Sequence, residues 1–259
     1  MPRSPVQAER RRRELAEMLA RGRGVSTAAA AKRFGVAPMT IRRDLQALAA
    51  AGTAVRSYGG AVPARRITFE FAFDERHERH HAAKVRIGAA AAADVEPGQT
   101  VFLDTGTTTL EMARALARRG LPCRVATSSL VVASELWAHE TIELLLVGGR
   151  VRRGSPDLVG PGTELMLERL TADTAFLGTD GIDPARGCFA RDIEAARVAE
   201  RMAAGARRRV VLADASKLGA AGGAKYLDLA DLDELITDRS AARRTVAAIR
   251  RHRLRVTMV

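Results

Sequence analysis

The chain has 259 residues, of which 47% are hydrophobic and 28% are charged. This composition predicts a folded protein with a sizeable core and excludes an intrinsically disordered chain. No apolar run reaches the roughly 18 residues that cross a bilayer, and no apolar signal core follows the basic N-terminus, so we expect a cytoplasmic protein. Cys123 and Cys188 are far apart and form no ligand pattern, which predicts small core residues.

The net charge of +12 is unevenly distributed along the chain. Residues 1–66 carry 14 Lys and Arg against 4 Asp and Glu, so they hold +10 of the excess, and residues 67–259 hold only +2. A basic N-terminal segment next to a nearly neutral remainder indicates that the segment binds a polyanion. A membrane surface is the other possible polyanion, but the segment lacks the bulky aromatic face of an interfacial helix.

Three helices are predicted in the basic segment, at 7–20, 27–34 and about 38–50. Gly35 breaks the chain between the second and third helices, and Pro38 suits the first position of a helix, where a missing N–H costs nothing. Two short helices joined by a glycine turn are typical of a DNA-binding helix-turn-helix. A solvated basic helix pair without a DNA role is the alternative that these residues alone leave open.

Residues that follow the third helix predict a small β-hairpin, with a strand at 53–58 and a glycine turn at 59–60. Three helices followed by such a hairpin form a winged helix, in which Arg56 can lie against the phosphate backbone. Ser26 or Thr27 is expected to cap the second helix. The candidate DNA-binding residues lie at that cap, on the third helix outside its apolar stripe, and on the hairpin: Ser26, Thr27, Met39, Thr40, Arg42, Arg43 and Arg56.

The rest of the chain is predicted to form a linker at 63–73 and an α/β domain at 74–259, after a winged helix at 7–62. Residues 74–94 are predicted to be one helix. After them, short apolar strands alternate with helices, which predicts a mainly parallel sheet. The apolar run 142–147 predicts a strand that is covered on both faces. Ligands of such sheets bind at the carboxyl ends of the strands.

Three clusters of polar residues lie in loops at the carboxyl ends of predicted strands. In the loop 104–109, Gly106 allows close approach of a ligand, the threonines and the helix start suit a phosphate, and Asp104 suits sugar hydroxyls. A helix cap with a turn is the alternative. Glycine pairs mark the loops that hold Gly149 and Asp180, and Lys217 supplies a point charge for a phosphate unless it is an ordinary surface lysine. The loop threonines and glycine singled out here are Thr105, Gly106, Thr107 and Thr108.

The order of residues predicts no catalytic group, no cofactor and no metal site. His77, His80 and His81 fall on one predicted helix at a spacing that can bring ligands together. Because arginines flank them, we interpret this stretch as a solvated helix face.

With both halves in view, the chain resembles the DeoR family of bacterial transcription regulators, from about residue 7 to residue 238. The resemblance is carried by Thr40-Ile41-Arg42-Arg43-Asp44-Leu45, Tyr58-Gly59-Gly60-Ala61, Asp104-Thr105-Gly106-Thr107-Thr108, Val147-Gly148-Gly149, 178–183 and 214–217. It implies a winged-helix repressor joined to a sensor domain similar to ribose-5-phosphate isomerase, at least a dimer, and a phosphorylated sugar as effector. Ser128, which stands where the family has asparagine, and Arg191 are then expected at the effector.

These observations favour a DNA-binding repressor of carbohydrate catabolism genes that a small metabolite controls. A sugar-phosphate isomerase with a DNA-binding appendage remains the alternative from another class of protein. A basic scaffold for RNA is disfavoured because few aromatic residues are available for base stacking.

Overall fold

The computed structural model describes residues 5–20, 24–50, 54–57, 59–63, 71–152 and 155–259. The chain divides into two compact units, residues 1–69 and residues 70–259, and each is described by itself. No helix among the described residues is long and apolar enough to span a membrane.

The N-terminal unit is a winged helix, as the sequence predicts. Its three helices and three strands follow in the order α1 Pro5–Ala20, β1 Val25–Ser26, α2 Thr27–Phe34, α3 Pro38–Ala50, β2 Ala54–Ser57 and β3 Gly60–Pro63. The observed bounds of α2 and α3 match the predicted ones. Ser26 caps α2, because its hydroxyl accepts a hydrogen bond from the Ala29 N–H at 3.5 Å, and Gly35 ends α2 in the left-handed conformation.

The hairpin of β2 and β3 is tied to the start of α2. Strand β3 pairs with both β1 and β2, and the Thr27 N–H donates to the Gly59 carbonyl at 2.8 Å. A side chain at Gly60 would collide with the Val25 carbonyl, so this close crossing requires glycine. Tyr58 and the side chain of Arg56 lie outside the described residues. The predicted wing is therefore present, and its base is fixed to the helix-turn-helix.

A buried ion pair holds α1 against α3. Asp44 on α3 points into the interior of the N-terminal unit and is 3% exposed. Its carboxylate accepts hydrogen bonds from Arg11 Nε at 2.6 Å and Arg12 Nε at 3.1 Å. It lies beside the apolar stripe of Ile41 and Leu45, which is fully buried. The carboxylate thus fixes the helix that presents Arg42 and Arg43.

We expect Asp44→Ala to destabilise the N-terminal unit by roughly 3 kcal/mol, because it leaves the buried Arg11 guanidinium unpaired. Thermal unfolding of the full chain measures the loss. The control is Glu14→Ala, which removes an exposed bridge to Arg10 that contributes at most about 1 kcal/mol. Equal effects of the two substitutions would contradict the role given to Asp44.

The C-terminal unit has seven α-helices among the described residues. They are α4 Phe71–Glu78, α5 His81–Ala93, α6 Thr107–Arg119, α7 Leu130–Leu136, α8 Pro161–Glu168, α9 Ile193–Ala204 and α10 Arg243–Arg250. The strands are β4 Thr100–Leu103, β5 Cys123–Thr127, β6 Ile142–Leu146, β7 Arg150–Val151, β8 Leu158–Val159, β9 Ala172–Gly178, β10 Gly181–Asp183, β11 Gly187–Ala190, β12 Ala206–Leu212, β13 Ala224–Leu227, β14 Glu234–Thr237 and β15 Arg255–Met258. A short 3-10 helix spans Ala215–Lys217.

Seven strands form one parallel sheet in the order β15-β14-β12-β9-β4-β5-β6. The chain fills one side of β4 with β5 and β6 and then crosses to the other side with β9, so the topology switches between β4 and β9. This point is where α/β sheets open a crevice for ligands. The predicted α/β fold with a mainly parallel sheet is confirmed, and two small antiparallel sheets, β10-β11-β13 and β7-β8, add to it.

The strand at 142–147 differs from its prediction. Strand β6 is an edge strand of the large sheet, and Leu145 and Leu146 are each 39% exposed. The continuous apolar run therefore does not indicate cover on both faces here. Periodicity alone does not distinguish an edge strand of this kind from a central one.

The helix predicted at 74–94 is two helices. Helix α4 ends at Glu78, and His80 takes a left-handed conformation with a φ of 55° before α5 begins at His81. Helix α4 begins at Phe71 and β3 ends at Pro63, both inside the range predicted for the linker. A side chain at Gly88 would collide with the backbone of Glu111, so α5 and α6 pack in backbone contact.

Candidate ligand site and DNA-binding surface

A cavity of about 580 Å³ opens at the switch point between β4 and β9. Its wall includes eight of the ten residues that the sequence places at the effector: Asp104, Thr105, Gly106, Thr107, Thr108, Asp180, Arg191 and Lys217. The cavity lies at the carboxyl ends of β4, β9 and β12, which bring these distant segments together.

The buried carboxyl group of Asp104 joins the two strands at the switch point. Its Oδ1 accepts from the Thr105 N–H at 2.7 Å, and its Oδ2 accepts from the Gly178 N–H at 3.0 Å. A side chain at Gly178 would lie 2.9 Å from the Thr105 carbonyl, so the two loops approach this closely only at glycine. Burial raises the pKa of Asp104 to about 7, and the two backbone hydrogen bonds oppose that rise.

Helix α6 points its N-terminus into the cavity. Gly106 stands at the cap position and has no side chain to accept from the first N–H groups of the helix. Thr107 and Thr108 form part of the wall, and the buried hydroxyl of Thr105 has no hydrogen-bond partner among the described residues. Unpaired N–H groups at a helix start, with hydroxyl groups beside them, suit an anion such as a phosphate.

The cavity wall also contains four cationic residues that the sequence does not predict there: Arg76, Arg79, Lys84 and Arg152. Lys84 is buried, and its ammonium donates to the Arg76 carbonyl and, at 2.6 Å, to the Arg79 carbonyl. Burial lowers the pKa of Lys84, with Lys217 and Arg76 acting in the same direction and Asp214 opposing them. Arg152 is held by the buried Asp157 through two hydrogen bonds of 3.0 and 2.7 Å.

One of these cations left a signal in the sequence. Lys84 lies three and seven residues before Ile87 and Ala91, on the buried face of α5, and a lysine on an apolar stripe is a candidate for a partnered or functional group. Arg76 and Arg79 fall in the stretch interpreted as solvated. Arg152 follows the glycine pair 148–149, and its position in the sequence gives no sign of its pairing with Asp157.

The cavity wall also contains carboxylates that accept hydrogen bonds from the backbone of neighbouring loops. Asp180 Oδ2 accepts from the Arg191 N–H at 3.0 Å, and Arg191 Nε lies 3.6 Å from Asp180 Oδ1. Asp214 accepts from the Ser216 N–H at 3.0 Å, which fixes the turn that carries Lys217. These carboxylates face the same cavity as the cations, so the site has both anion-binding and hydroxyl-binding groups.

Ser128 and Gly149 are the two predicted effector residues that do not belong to the cavity wall. Ser128 is 1% exposed and lies under the loops, where its carbonyl accepts from the Leu158 N–H at 2.9 Å. Gly149 is a packing position, because a side chain there would collide with the Thr163 hydroxyl and the Val159 carbonyl. Both residues pack near the site, and their placement at the effector remains a prediction.

The interpretation of the histidine stretch as a solvated helix face is wrong for His77. Its side chain is 14% exposed, and its Nε2 lies 2.7 Å from Glu111 Oε1 on α6. Arg114 Nη1 donates to the same Glu111 oxygen at 2.7 Å, and Arg114 Nε donates to Glu135 at 3.2 Å. Burial acts to raise the pKa of Glu111, but the hydrogen bonds from His77 and Arg114 outweigh it and leave that pKa below its ordinary value.

In the N-terminal unit, the outer side of α3 carries the predicted DNA-binding residues. Met39 is 54% exposed, Arg42 and Arg43 are exposed, and Thr40 is half-buried. Thr27 is 6% exposed and its N–H donates to the Gly59 carbonyl of the wing turn, so its candidate contact with DNA remains a prediction. Ser26 is exposed, although its hydroxyl is occupied by the cap of α2.

A winged helix with a basic, exposed third helix and a separate parallel-sheet unit with a polar cavity define a DNA-binding regulator with a ligand-sensing domain. Comparison with known families places the chain within this class. Residues 11–66 match the DeoR-like helix-turn-helix domain, and residues 79–239 match the DeoR C-terminal sensor domain. The chain belongs to the DeoR family.

Two relatives that are named as transcription regulators match this chain over most of their length. The HTH-type transcriptional regulator GlpR of Haloferax volcanii is 37% identical and matches over 89% of each chain. The glycerol-3-phosphate regulon repressor of Escherichia coli K12 is 29% identical over 83% of this chain and 84% of its own. Ribose-5-phosphate isomerase A of Methanocaldococcus jannaschii is 20% identical, with a TM-score of 0.41 over 53% of this chain and 54% of that one. The chain is a transcription regulator and not an enzyme, as both family matches and these regulators establish.

The buried carboxyl group predicts a pH dependence of stability. Because the pKa of Asp104 is raised from 3.8 to about 7, the folded chain keeps a proton on this group that the unfolded chain releases, and the contribution of Asp104 to stability falls as pH rises from about 4 to about 7. We expect Asp104→Asn to flatten this fall by at most about 1.4 kcal/mol per pH unit. Urea unfolding at a series of pH values measures the slope.

The control for that series is Asp231→Asn, at an exposed aspartate outside the cavity wall, which is expected to keep the wild-type slope. A wild-type slope in Asp104→Asn would show that the Asp104 carboxyl group does not hold the extra proton.

Proposed function

We propose that this DeoR-family regulator represses genes of carbohydrate catabolism and that a phosphorylated sugar, or a related polyol phosphate, controls its binding to DNA. The observation that carries the proposal is the composition of the cavity wall. Six cations and one helix N-terminus surround a space that also presents buried carboxyl groups. An anionic ligand with several hydroxyl groups fits both halves of that wall.

The phosphate is assigned to the N-terminus of α6. The N-terminus of α6, Thr107, Thr108 and Lys217 all line the same cavity. A helix start favours an anion through its unpaired N–H groups and its dipole, and an ammonium group adds a point charge.

The hydroxyl groups of the ligand are assigned to the carboxyl groups of Asp104 and Asp180. Each already accepts a backbone hydrogen bond, which fixes its orientation, and each oxygen retains a further lone pair for a ligand hydroxyl. With a pKa of about 7, Asp104 is present in both protonation states near neutral pH, so it can accept or donate. The name of the Escherichia coli glycerol-3-phosphate regulon repressor supports a polyol phosphate as the ligand class.

The DNA contacts are assigned to α3, the cap of α2 and the wing. Thr40 and Met39 near the start of α3 are placed to meet base edges, and Arg42 and Arg43 are placed to bind phosphates or guanines. Ser26 and Arg56 are assigned to contacts with the phosphate backbone of the DNA. We also propose at least a dimer, because helix-turn-helix proteins commonly read two half-sites with two copies.

Control of DNA binding requires that the ligand bind the DNA-competent and DNA-incompetent forms with different affinities. A ligand with equal affinity for both forms would leave DNA binding unchanged, however tightly it bound.

Replacing Arg42 or Arg43 by alanine is expected to weaken binding of the full chain to its own upstream DNA. If the lost group contacts a phosphate, the slope of log affinity against log salt concentration flattens by about 0.9. Fluorescence anisotropy at several salt concentrations measures both quantities. The control is Arg207→Ala in the C-terminal unit, where the side chain is 87% exposed. Unchanged affinity in both α3 variants would remove this helix from DNA recognition.

Lys217→Ala is expected to weaken binding of a phosphate ester about tenfold or more, because a charged hydrogen bond contributes about 1.5–3 kcal/mol. Calorimetry on the full chain measures the affinity for glycerol 3-phosphate, ribose 5-phosphate and fructose 1-phosphate, each beside its unphosphorylated counterpart. Lys225→Ala is the matched control, because that lysine pairs with Asp228 and lies outside the wall. Equal losses in the two variants, or tighter binding of the unphosphorylated compounds, would contradict the assignment.

A further inference from the structure

A second candidate site lies behind the cavity wall, where α4, α5 and α6 meet. His77 at the end of α4, His81 at the start of α5 and Glu111 on α6 each bring one ligand atom within 4.8 Å of the others. His77 and His81 are four residues apart and lie on either side of the break between α4 and α5, with ring centroids 4.7 Å apart.

The separations suit a small metal ion. His77 Nε2 lies 2.7 Å and His81 Nδ1 lies 3.9 Å from Glu111 Oε1. Ligands at about 2 Å from a tetrahedral ion are roughly 3.3 Å apart, and the two observed distances lie on either side of that value. Closing the shell requires side-chain rotations that bring the three ligand atoms, now within 4.8 Å of one another, toward that separation.

One ligand atom of the cluster has no other partner. His81 Nδ1 is buried and makes no hydrogen bond among the described residues, although the ring as a whole is 43% exposed. A buried polar atom without a partner is costly and requires an explanation. Coordination of a cation by this nitrogen would remove the cost, and the exposed part of the ring leaves room for a solvent ligand.

We propose that His77, His81 and Glu111 bind a divalent transition metal of the zinc class, with solvent as the fourth ligand. Two imidazoles and one carboxylate favour zinc, cobalt, nickel or copper over magnesium or calcium, which prefer oxygen ligands. The bound ion would fasten α4 to α5 and α6, behind the cations Arg76 and Arg79 of the cavity wall.

Two cations compete with the metal for Glu111. Arg114 donates to Glu111 Oε1 at 2.7 Å, and Lys84 lies close enough to interact with the same carboxylate. Lys84 is already held by two backbone carbonyls, and Arg114 has a second partner in Glu135. Arg114 Nη1 also lies 3.2 Å from His77 Nε2. Metal binding therefore requires this group to move away from both ligand atoms while Arg114 Nε keeps Glu135, which is a local rearrangement.

The test measures binding of Zn²⁺ to the full chain without an affinity tag, by calorimetry, and the visible absorption of bound Co²⁺ as a second readout. No sugar phosphate is present, so the result does not depend on the proposed effector. We expect one site, with an affinity that falls at least about tenfold in His81→Ala and in His77→Ala. His139→Ala is the control and keeps the wild-type affinity, because His139 lies outside the cluster.

His81→Ala is the decisive variant, because this side chain has no Nδ1 hydrogen bond to lose and its removal leaves the contacts between His77, Glu111 and Arg114 in place. Arg114→Gln removes the competing guanidinium and is expected to bind Zn²⁺ severalfold more tightly than the wild type. Equal Zn²⁺ affinity in His81→Ala and the wild type, or no binding by the wild type, would show that the cluster is a hydrogen-bond network only. Unchanged affinity in Arg114→Gln would overturn the exchange of arginine for metal.

Discussion

The C-terminal unit depends on one buried carboxyl group at the point between β4 and β9 where the strand order of its sheet switches. Asp104 joins the ends of β4 and β9 through hydrogen bonds from the Thr105 and Gly178 N–H groups, and the adjacent loops then form the wall of the cavity. The cost of burying this group appears in its pKa, which rises to about 7. The side chain that forms these structural hydrogen bonds is thus also one that we propose to bind the ligand.

The N-terminal unit uses a buried charge in a comparable way. Asp44 lies within the motif that carries the exposed arginines, but it faces inward and binds Arg11 and Arg12 of α1. Since the same short helix presents Arg42 and Arg43 outward, the ion pair sets the direction in which those side chains point. A motif that indicates DNA binding in the sequence therefore also contains the residue that orients it.

Most of the fold was predictable because its signals are local. Gly35, Pro38 and the stripe of Ile41 and Leu45 determine α2 and α3 to the residue, and alternation of short apolar runs with helices determines the parallel sheet. The break at His80 was not predictable, since nothing near it is a glycine or proline and a non-glycine residue adopts the left-handed conformation. The exposure of β6 follows from its place at the edge of the sheet. An apolar run in the sequence gives no information about the order of the strands.

The candidate site was predictable where its residues lie in loops that follow strands, as Asp104 does directly after β4 and Lys217 does a few residues after β12. It was missed where cations reach the cavity from elsewhere, since the position of Arg152 depends on its pairing with Asp157 and those of Arg76 and Arg79 on the end of α4. Ser128 and Gly149 lie outside the cavity wall, because polar or glycine loops next to strand ends also serve to pack the loops together.

The central claim is that a metabolite bound in the C-terminal cavity changes how the N-terminal unit binds DNA. The most direct measurement is the dissociation constant of the full chain for its upstream DNA, with and without saturating glycerol 3-phosphate, ribose 5-phosphate or fructose 1-phosphate. The account predicts that at least one phosphate ester shifts this constant and that its unphosphorylated counterpart does not. A dissociation constant that stays the same while a phosphate ester is shown to occupy the cavity would contradict it.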